Sequence, residues 1–379
     1  MSTDEILISA CMIVRDEEEF LEGCLLSIKD AVDEIVVGDT GSTDRTRDIA
    51  RDLGARVYNI PWNDDFSAAR NQVLEQAKGA WILSIDADER LRAISRSRIE
   101  VLLKNPSNIA YYVLMHPMRR WTGMWVIRLF RNDPRIRFKG IFHESLWEGL
   151  QKALSSENKE IGYSDLFLDH LGYDIDQSEK LMRNLSLLLR EIERDENNAY
   201  IWAHLGSVYE DLGVEARAED AWKRAIEVVR EKKDVHVHEI YAYICYIEWR
   251  LKHGKPVKRL LKEAIDYSPD NPHLYWLKGR LLMEENRYDE AIPFFERLIS
   301  WGEKQDFNRV SVCYEICIFN VKAYDSLATC HFRLGNYPES RRYFRLAEKF
   351  AAGTMEYKVK KQLCEAMMEA ERQNAGLVE

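Results

Sequence analysis

Asp86 and Asp88 stand one residue apart in Ser84-Ile85-Asp86-Ala87-Asp88-Glu89, directly after the apolar run Ala80-Trp81-Ile82-Leu83. The run reads as a buried strand, so both carboxylates sit where a strand gives way to a loop. Strand alternation points them to the same side. Two like charges that close repel, and burying them unpaired is costly. A divalent cation relieves both problems. Hard oxygen ligands in small number suit Mg²⁺ or Mn²⁺, which keep positions open for phosphate oxygens. The pattern fits a metal site that receives a phosphorylated substrate; a solvated acidic turn fits it too.

The flanking sequence shows what must position these carboxylates. Ile6 to Val14 and Glu34 to Asp39 read as strands, with Phe20-Leu21, Cys24-Leu25 and Ile28 marking a helix face between them. Asp44 falls in the N-cap region of a following helix that carries Ile49 and Leu53. Ala55–Ile60 is a third short strand, Phe66–Ala77 a helix, and Ala80–Ile85 a fourth strand. This alternation predicts an α/β domain with a mainly parallel sheet. Ligands of such sheets bind beyond the carboxyl ends of the strands, where Asp39, Asp86 and Asp88 lie.

Four segments, in this order and spacing, resemble the family-2 glycosyltransferases, inverting nucleotide-sugar enzymes with the GT-A fold. They are Met12-Ile13-Val14-Arg15-Asp16-Glu17, Asp39-Thr40-Gly41-Ser42-Thr43-Asp44, Ala69-Arg70-Asn71 and Asp86-Ala87-Asp88-Glu89. The resemblance covers roughly residues 5–175. It implies a Rossmann-like GT-A domain over residues 1–175. It also implies a donor nucleotide bound by Val14, Arg15, Glu17, Asp39, Ser42, Asp44, Arg70, Asp86 and Ala87. Asp39 would read the base, Asp86 the ribose or the metal, and Asp88 the metal. Arg15 departs from the Asn often seen at its place. Two histidines fall where such enzymes place functional groups, in Phe142-His143-Glu144 and Asp169-His170. A lone histidine is more often structural than ligating. By resemblance, Glu144 matches the base that deprotonates the acceptor, and His170 a late ligand of Mn²⁺ or Mg²⁺. His143 is open between ligand, base and orienter. Trp121 to Trp125 fits a loop over the sugar or ordinary core packing.

The 379 residues suffice for two domains. No apolar run approaches the roughly 18–20 residues of a membrane span. The N-terminus lacks a signal-peptide pattern, and the seven cysteines are scattered, which together predict a cytoplasmic, reduced protein. Cys313 and Cys317 stand one helical turn apart, as in core packing. The net charge of −10 argues against general nucleic-acid affinity. Yet residues 90–139 hold twelve Arg or Lys against only Glu100 and Asp133. That segment is a basic rim for a diphosphate, or a solvated face.

Beyond about residue 175 strand signals vanish and apolar residues recur at helical spacing. Gly206, Cys245, Gly279 and Ala328 hold equivalent places in four copies, as in Trp202-x-x-Leu205-Gly206-x-x-Tyr209. Their spacings of 39, 34 and 49 residues imply longer loops in two copies. The copies resemble tetratricopeptide (TPR) repeats, whose unit is about 34 residues. Residues 176–379 are therefore expected to form an all-α TPR-like helical solenoid that binds peptide or protein, or a second copy of the chain as a homodimer. The two-part layout looks like bacterial peptide glycosyltransferases of the glycocin type. The expected function is metal-dependent inverting transfer from a nucleotide-sugar donor, UDP-linked, to a peptide or protein acceptor. A lipopolysaccharide-core or other glycan glucosyltransferase is the alternative, and a TPR adaptor with an inactive transferase domain is an alternative of another class.

Overall fold

The computed structural model describes residues 7–117, 120–172, 178–233, 235, 237–305, 312–351 and 354–376. The chain divides into two compact units, residues 1–119 with 123–221, and residues 120–122 with 222–379. The expected boundary at 175/176 lies outside the described residues.

The first unit opens with β1 (Ile8–Val14), α1 (Leu21–Ile28), β2 (Glu34–Asp39), α2 (Thr46–Asp52), β3 (Arg56–Asn59), α3 (Phe66–Leu74) and β4 (Trp81–Ser84). It continues with β5 (Glu89–Leu91), α4 (Arg96–Leu103), β6 (Asn108–His116), β7 (Met124–Arg131), α5 (Trp147–Glu157) and β8 (Glu160–His170). These form one sheet in the order β3-β2-β1-β4-β7-β6-β8-β5. The four strands of the alternating βα segment are parallel, as their pattern requires. The other half is mixed: β4 with β7, β6 with β7 and β5 with β8 are antiparallel, while β6 with β8 is parallel.

Alternation along β1 sorts the core. Ile8, Ala10, Met12 and Val14 pack on one face with Leu21, Cys24, Leu25 and Ile28 of α1. Cys11 packs on the other with Ala69, Val73 and Leu74 of α3 and Leu150 and Ala153 of α5. Strands buried on both faces read as continuous apolar runs, which is the composition β1 and β4 have. The Asp65 side chain starts α3 by accepting from the Ala68 amide at 2.8 Å. The same unit includes α6 (Ser178–Arg194), α7 (Ala199–Asp211) and the start of α8 (Glu215–Glu231).

The second unit pairs α9 (Ile240–Lys252) with α10 (Lys258–Tyr267), α11 (Pro272–Glu284) with α12 (Tyr288–Lys304), and α13 (Val321–Arg333) with α14 (Tyr337–Glu348), before α15 (Met355–Gly376). Cys245, Gly279 and Ala328 each sit on the first helix of a pair, and Gly206 sits on α7 of the first unit. At Gly279 a Cβ would stand 2.7 Å from the Phe295 ring, so that buried ring packs directly on the α11 backbone. The long spacings correspond to insertions carrying short 3-10 turns, Val237–Glu239 and Ile316–Phe319. Cys313 and Cys317 lie in the second insertion, Cys317 on that 3-10 turn, and so do not share an α-helical face. Thr122 bonds Tyr314 twice, at 2.8 and 2.9 Å, and the Ile316 amide donates to the Arg120 carbonyl. Trp121 and Thr122, expected near a sugar, are engaged by that pairing, and Met124 and Trp125 open β7. Among the described residues no helix is long and apolar enough to cross a membrane.

Candidate active site

Parallel strands bring Val14, Asp39 and Ile85 to the carboxyl ends of β1, β2 and β4. Val14 and Asp39 are register partners at the ends of β1 and β2, and Ile85 donates its amide to the Cys11 carbonyl. The loops that follow, with α3 and β8, hold all the sequence-predicted residues but His143 in three groups.

The first group is a zip between residues 14–18 and 39–46. Asp39, 2% exposed, turns back to accept the Ser42 amide at 3.1 Å and the Gly41 amide at 3.3 Å, with Arg47 at 3.6 Å. The Ser42 hydroxyl accepts the Asp16 amide, and Asp44 accepts the amides of Glu18 and Thr46. The Glu17 amide donates to the Thr46 hydroxyl, and the Val14 carbonyl accepts both donors of Thr40. Val14, Glu17, Asp39, Ser42 and Asp44 thus build a rigid wall. Arg15 is 56% exposed and stands 4.0 Å from Asp16.

The second group is a half-buried charge cluster around the fully buried Glu89. Arg70, on α3, donates from Nε to Glu144 at 2.5 Å and from a terminal nitrogen to Asp86 at 2.8 Å. The other oxygen of Asp86 accepts from Arg128 of β7 at 2.9 Å, and the same nitrogen of Arg128 reaches Glu89 at 2.6 Å. Glu89, wholly buried, also accepts the Asp86 amide. Burial pushes the Asp86 carboxyl up, but Arg70 and Arg128 outweigh it and hold the group well below the usual carboxylate range. Glu89 is held above that range by burial, with Asp86 adding to the effect of burial and Arg128 opposing it. Ala87 is buried, and its carbonyl accepts from Arg90.

The third group is Asp88 with His170. Antiparallel pairing sets Glu89 opposite His170, and the Leu171 amide donates to the Asp88 carbonyl. His170 Nε2 consequently lies 3.7 Å from Asp88 Oδ1. Two ligands each about 2.1 Å from one ion can stand no more than about 4 Å apart, so this nitrogen–oxygen pair is within the span of a divalent cation. A Cβ at Gly172 would fall 2.0 Å from the other Asp88 oxygen; glycine keeps that side clear. Among the described residues no three His, Cys, Asp or Glu side chains converge on one point.

His143, adopting a left-handed φ of 57°, points its ring into an aromatic group. Its centroid lies 4.3 Å from Phe142, 4.1 Å from His204 and 5.4 Å from Tyr200. The residue keeps an accessible surface, but the protein packed around it lowers its pKa to about 4, so the ring is neutral near pH 7.

Sequence reasoning singled out neither Arg128 nor the role of Glu89. Arg128 was one of twelve basic residues without a distinguishing neighbour. Only the β4–β7 register, which pairs Leu83 with Leu129, shows that the preceding residue reaches the Asp86 turn.

Residues 9–148 match the family described as Glycosyl transferase family 2, and residues 258–309 match Tetratricopeptide repeat. A TPR repeat-containing protein of Synechococcus elongatus is 36% identical over 254 residues, 64% of this chain and 62% of that protein, so the match spans less than two thirds of this relative. The SPbeta prophage-derived glycosyltransferase SunS of Bacillus subtilis is 26% identical over 341 residues, 84% of this chain and 79% of SunS. An uncharacterized glycosyltransferase of Rickettsia bellii is 34% identical over 116 residues, 30% of this chain and 39% of that protein. The chain thus carries a segment that matches glycosyltransferase family 2 ahead of one that matches tetratricopeptide repeats.

Proposed function

We propose that this protein moves a sugar from a UDP-linked donor onto a peptide or protein acceptor, with inversion at the anomeric carbon and with the aid of Mn²⁺ or Mg²⁺. The observation that carries the reading is the meeting of Arg70, Asp86 and Glu144, far apart in sequence, in one half-buried group. Arg70 presents a planar set of donors that matches phosphate oxygens as well as it matches the two carboxylates it now bridges. Glu144 accepts the proton of the attacking acceptor, as one displacement requires one base. Asp88 and His170 hold the cation, which when bound supplies neutralisation of the charge growing on the departing diphosphate. The wall built by Asp39, Ser42 and Asp44 orients the nucleotide. The repeats favour a peptide or protein acceptor, because stacked helix pairs offer an extended concave surface. Seven free cysteines support action in the reducing cytoplasm. Three apolar residues exposed one turn apart on α15, Met355, Val359 and Leu363, support self-association through the repeats.

The test is UDP release from UDP-hexoses with Mn²⁺, combined with mass spectrometry of co-purified peptides for a hexose shift. Asp88→Asn is expected to lower turnover by at least about 10²-fold. Glu144→Gln is expected to abolish transfer yet bind UDP normally. Near-normal turnover by either variant refutes that residue's role.

A further inference from the structure

Glu144 follows a loop whose shape is fixed by residues far along the chain. Lys139 and Ser145 close residues 139–145 with two backbone bonds, at 2.9 and 2.8 Å. From α3, the Ser67 hydroxyl donates to the Gly140 carbonyl at 2.6 Å, and the Phe66 amide to the Ile141 carbonyl at 3.0 Å. The Ile141 amide donates to the carboxylate of Glu191 on α6. Glu191 is 8% exposed, on a helix whose Leu187 and Leu188 are fully buried. Burying a carboxylate there is costly, and a buried loop amide without a partner is costly as well; each removes the other's penalty. A bond to a charged acceptor is roughly twice as strong as a neutral one. Two residues on, His143 holds a left-handed backbone, which a bulky side chain keeps only where its surroundings determine it. His204 and Tyr200 of α7 supply those surroundings.

We propose that Glu191 and His204, from the first helices after the sheet, are positioning residues that set the loop carrying Glu144. The inference rests on Glu144 being the base. The transfer machinery therefore extends through α6 and α7, inside the unit that ends at Ala221. These helices hold the base in place in addition to any recruitment performed by the repeats.

The test uses the full chain, with UDP release from UDP-glucose, UDP-galactose and UDP-N-acetylglucosamine to water in Mn²⁺ buffer as the probe. Glu191→Ala is expected to lower kcat by about 10- to 10²-fold, the penalty of a base misplaced by about an ångström. UDP affinity is expected to stay within about twofold, because the nucleotide wall stands on other loops. Glu191→Gln keeps an acceptor oxygen for the Ile141 amide and is expected to restore most of kcat. If Glu191→Ala does not fold, the same contrast is read from His204→Ala against His204→Phe, the latter preserving a ring beside His143. The proposal is overturned by unchanged kcat in the alanine variants, by equal loss in alanine and conservative variants, or by a parallel loss of UDP affinity. Glu144→Gln measured alongside separates the two readings. If it turns over normally, the base assignment fails; if it is inactive while Glu191→Ala retains kcat, only the positioning fails.

Discussion

Replacing Arg70 by Met removes a cation that two half-buried carboxylates share. The loss is not symmetric. Asp86 keeps Arg128 at 2.9 Å, whereas Glu144 loses its bond of 2.5 Å while only 15% exposed. Breaking one buried pair so that one charge stays behind costs about 3–5 kcal/mol. For a unit of about two hundred residues each kcal/mol is worth roughly 2–4 °C. Arg70→Met should therefore unfold about 10 °C earlier in scanning calorimetry of the full chain. Arg70→Met with Glu144→Gln leaves no uncompensated charge at 144 and should regain about 2 kcal/mol. The coupling read from the double-mutant cycle is the decisive quantity. A shift under about 2 °C for Arg70→Met, or strict additivity in the double variant, would refute the cluster as described.

Glu34 sits where three strands begin. It accepts from Ser9 and from the Lys78 amide, and pairs with Arg56, each at 2.5 Å. Burial pushes its pKa up, but these bonds outweigh burial and leave it below the ordinary glutamate value. Its stabilisation is present above that value and is lost as pH falls through the lowered pKa. Glu34→Gln should cost about 1–3 kcal/mol at pH 7. In urea titrations the gap to the parent should close below about pH 4; a gap independent of pH contradicts the assignment. Gly172→Ala places a Cβ 2.0 Å from an Asp88 oxygen. UDP titrations with and without Mn²⁺ should show an approximately tenfold loss confined to the metal-dependent part. An equal loss without metal would argue against Asp88 as a ligand.

Much of this was legible in the sequence because it is local. The parallel βα order follows from apolar runs and turns, and the first helices of three repeat pairs are marked by the small residues Cys245, Gly279 and Ala328. Asp88 and His170 could be named as partners only through a family pattern, yet the structure sets them side by side because β5 pairs with β8. Registers between distant strands leave no local trace. The antiparallel half of the sheet, the placement of Arg128 and the engagement of Trp121 and Thr122 were therefore invisible. So was Glu191, which reads as one more charge on an amphipathic helix until the Ile141 amide is found against it. His143 shows the converse: its residue type suggested chemistry, whereas its ring lies packed among other rings.

The pairing of β5 with β8 also orders events on the ribosome. The parallel strands β1 to β4 can assemble once the chain has emerged a little past Ser84. β5 spans only three residues, and its partner leaves the exit tunnel many residues later. Contacts of such long sequence separation form late, after the entropy of closing the intervening loop has been met. Asp88 consequently waits for His170, and Ile141 waits for Glu191. A nascent chain therefore carries its carboxylates in an unfinished edge until the first helices beyond the sheet have been made. During that interval the apolar face of the sheet's later half is exposed to partners that bind unpaired strands.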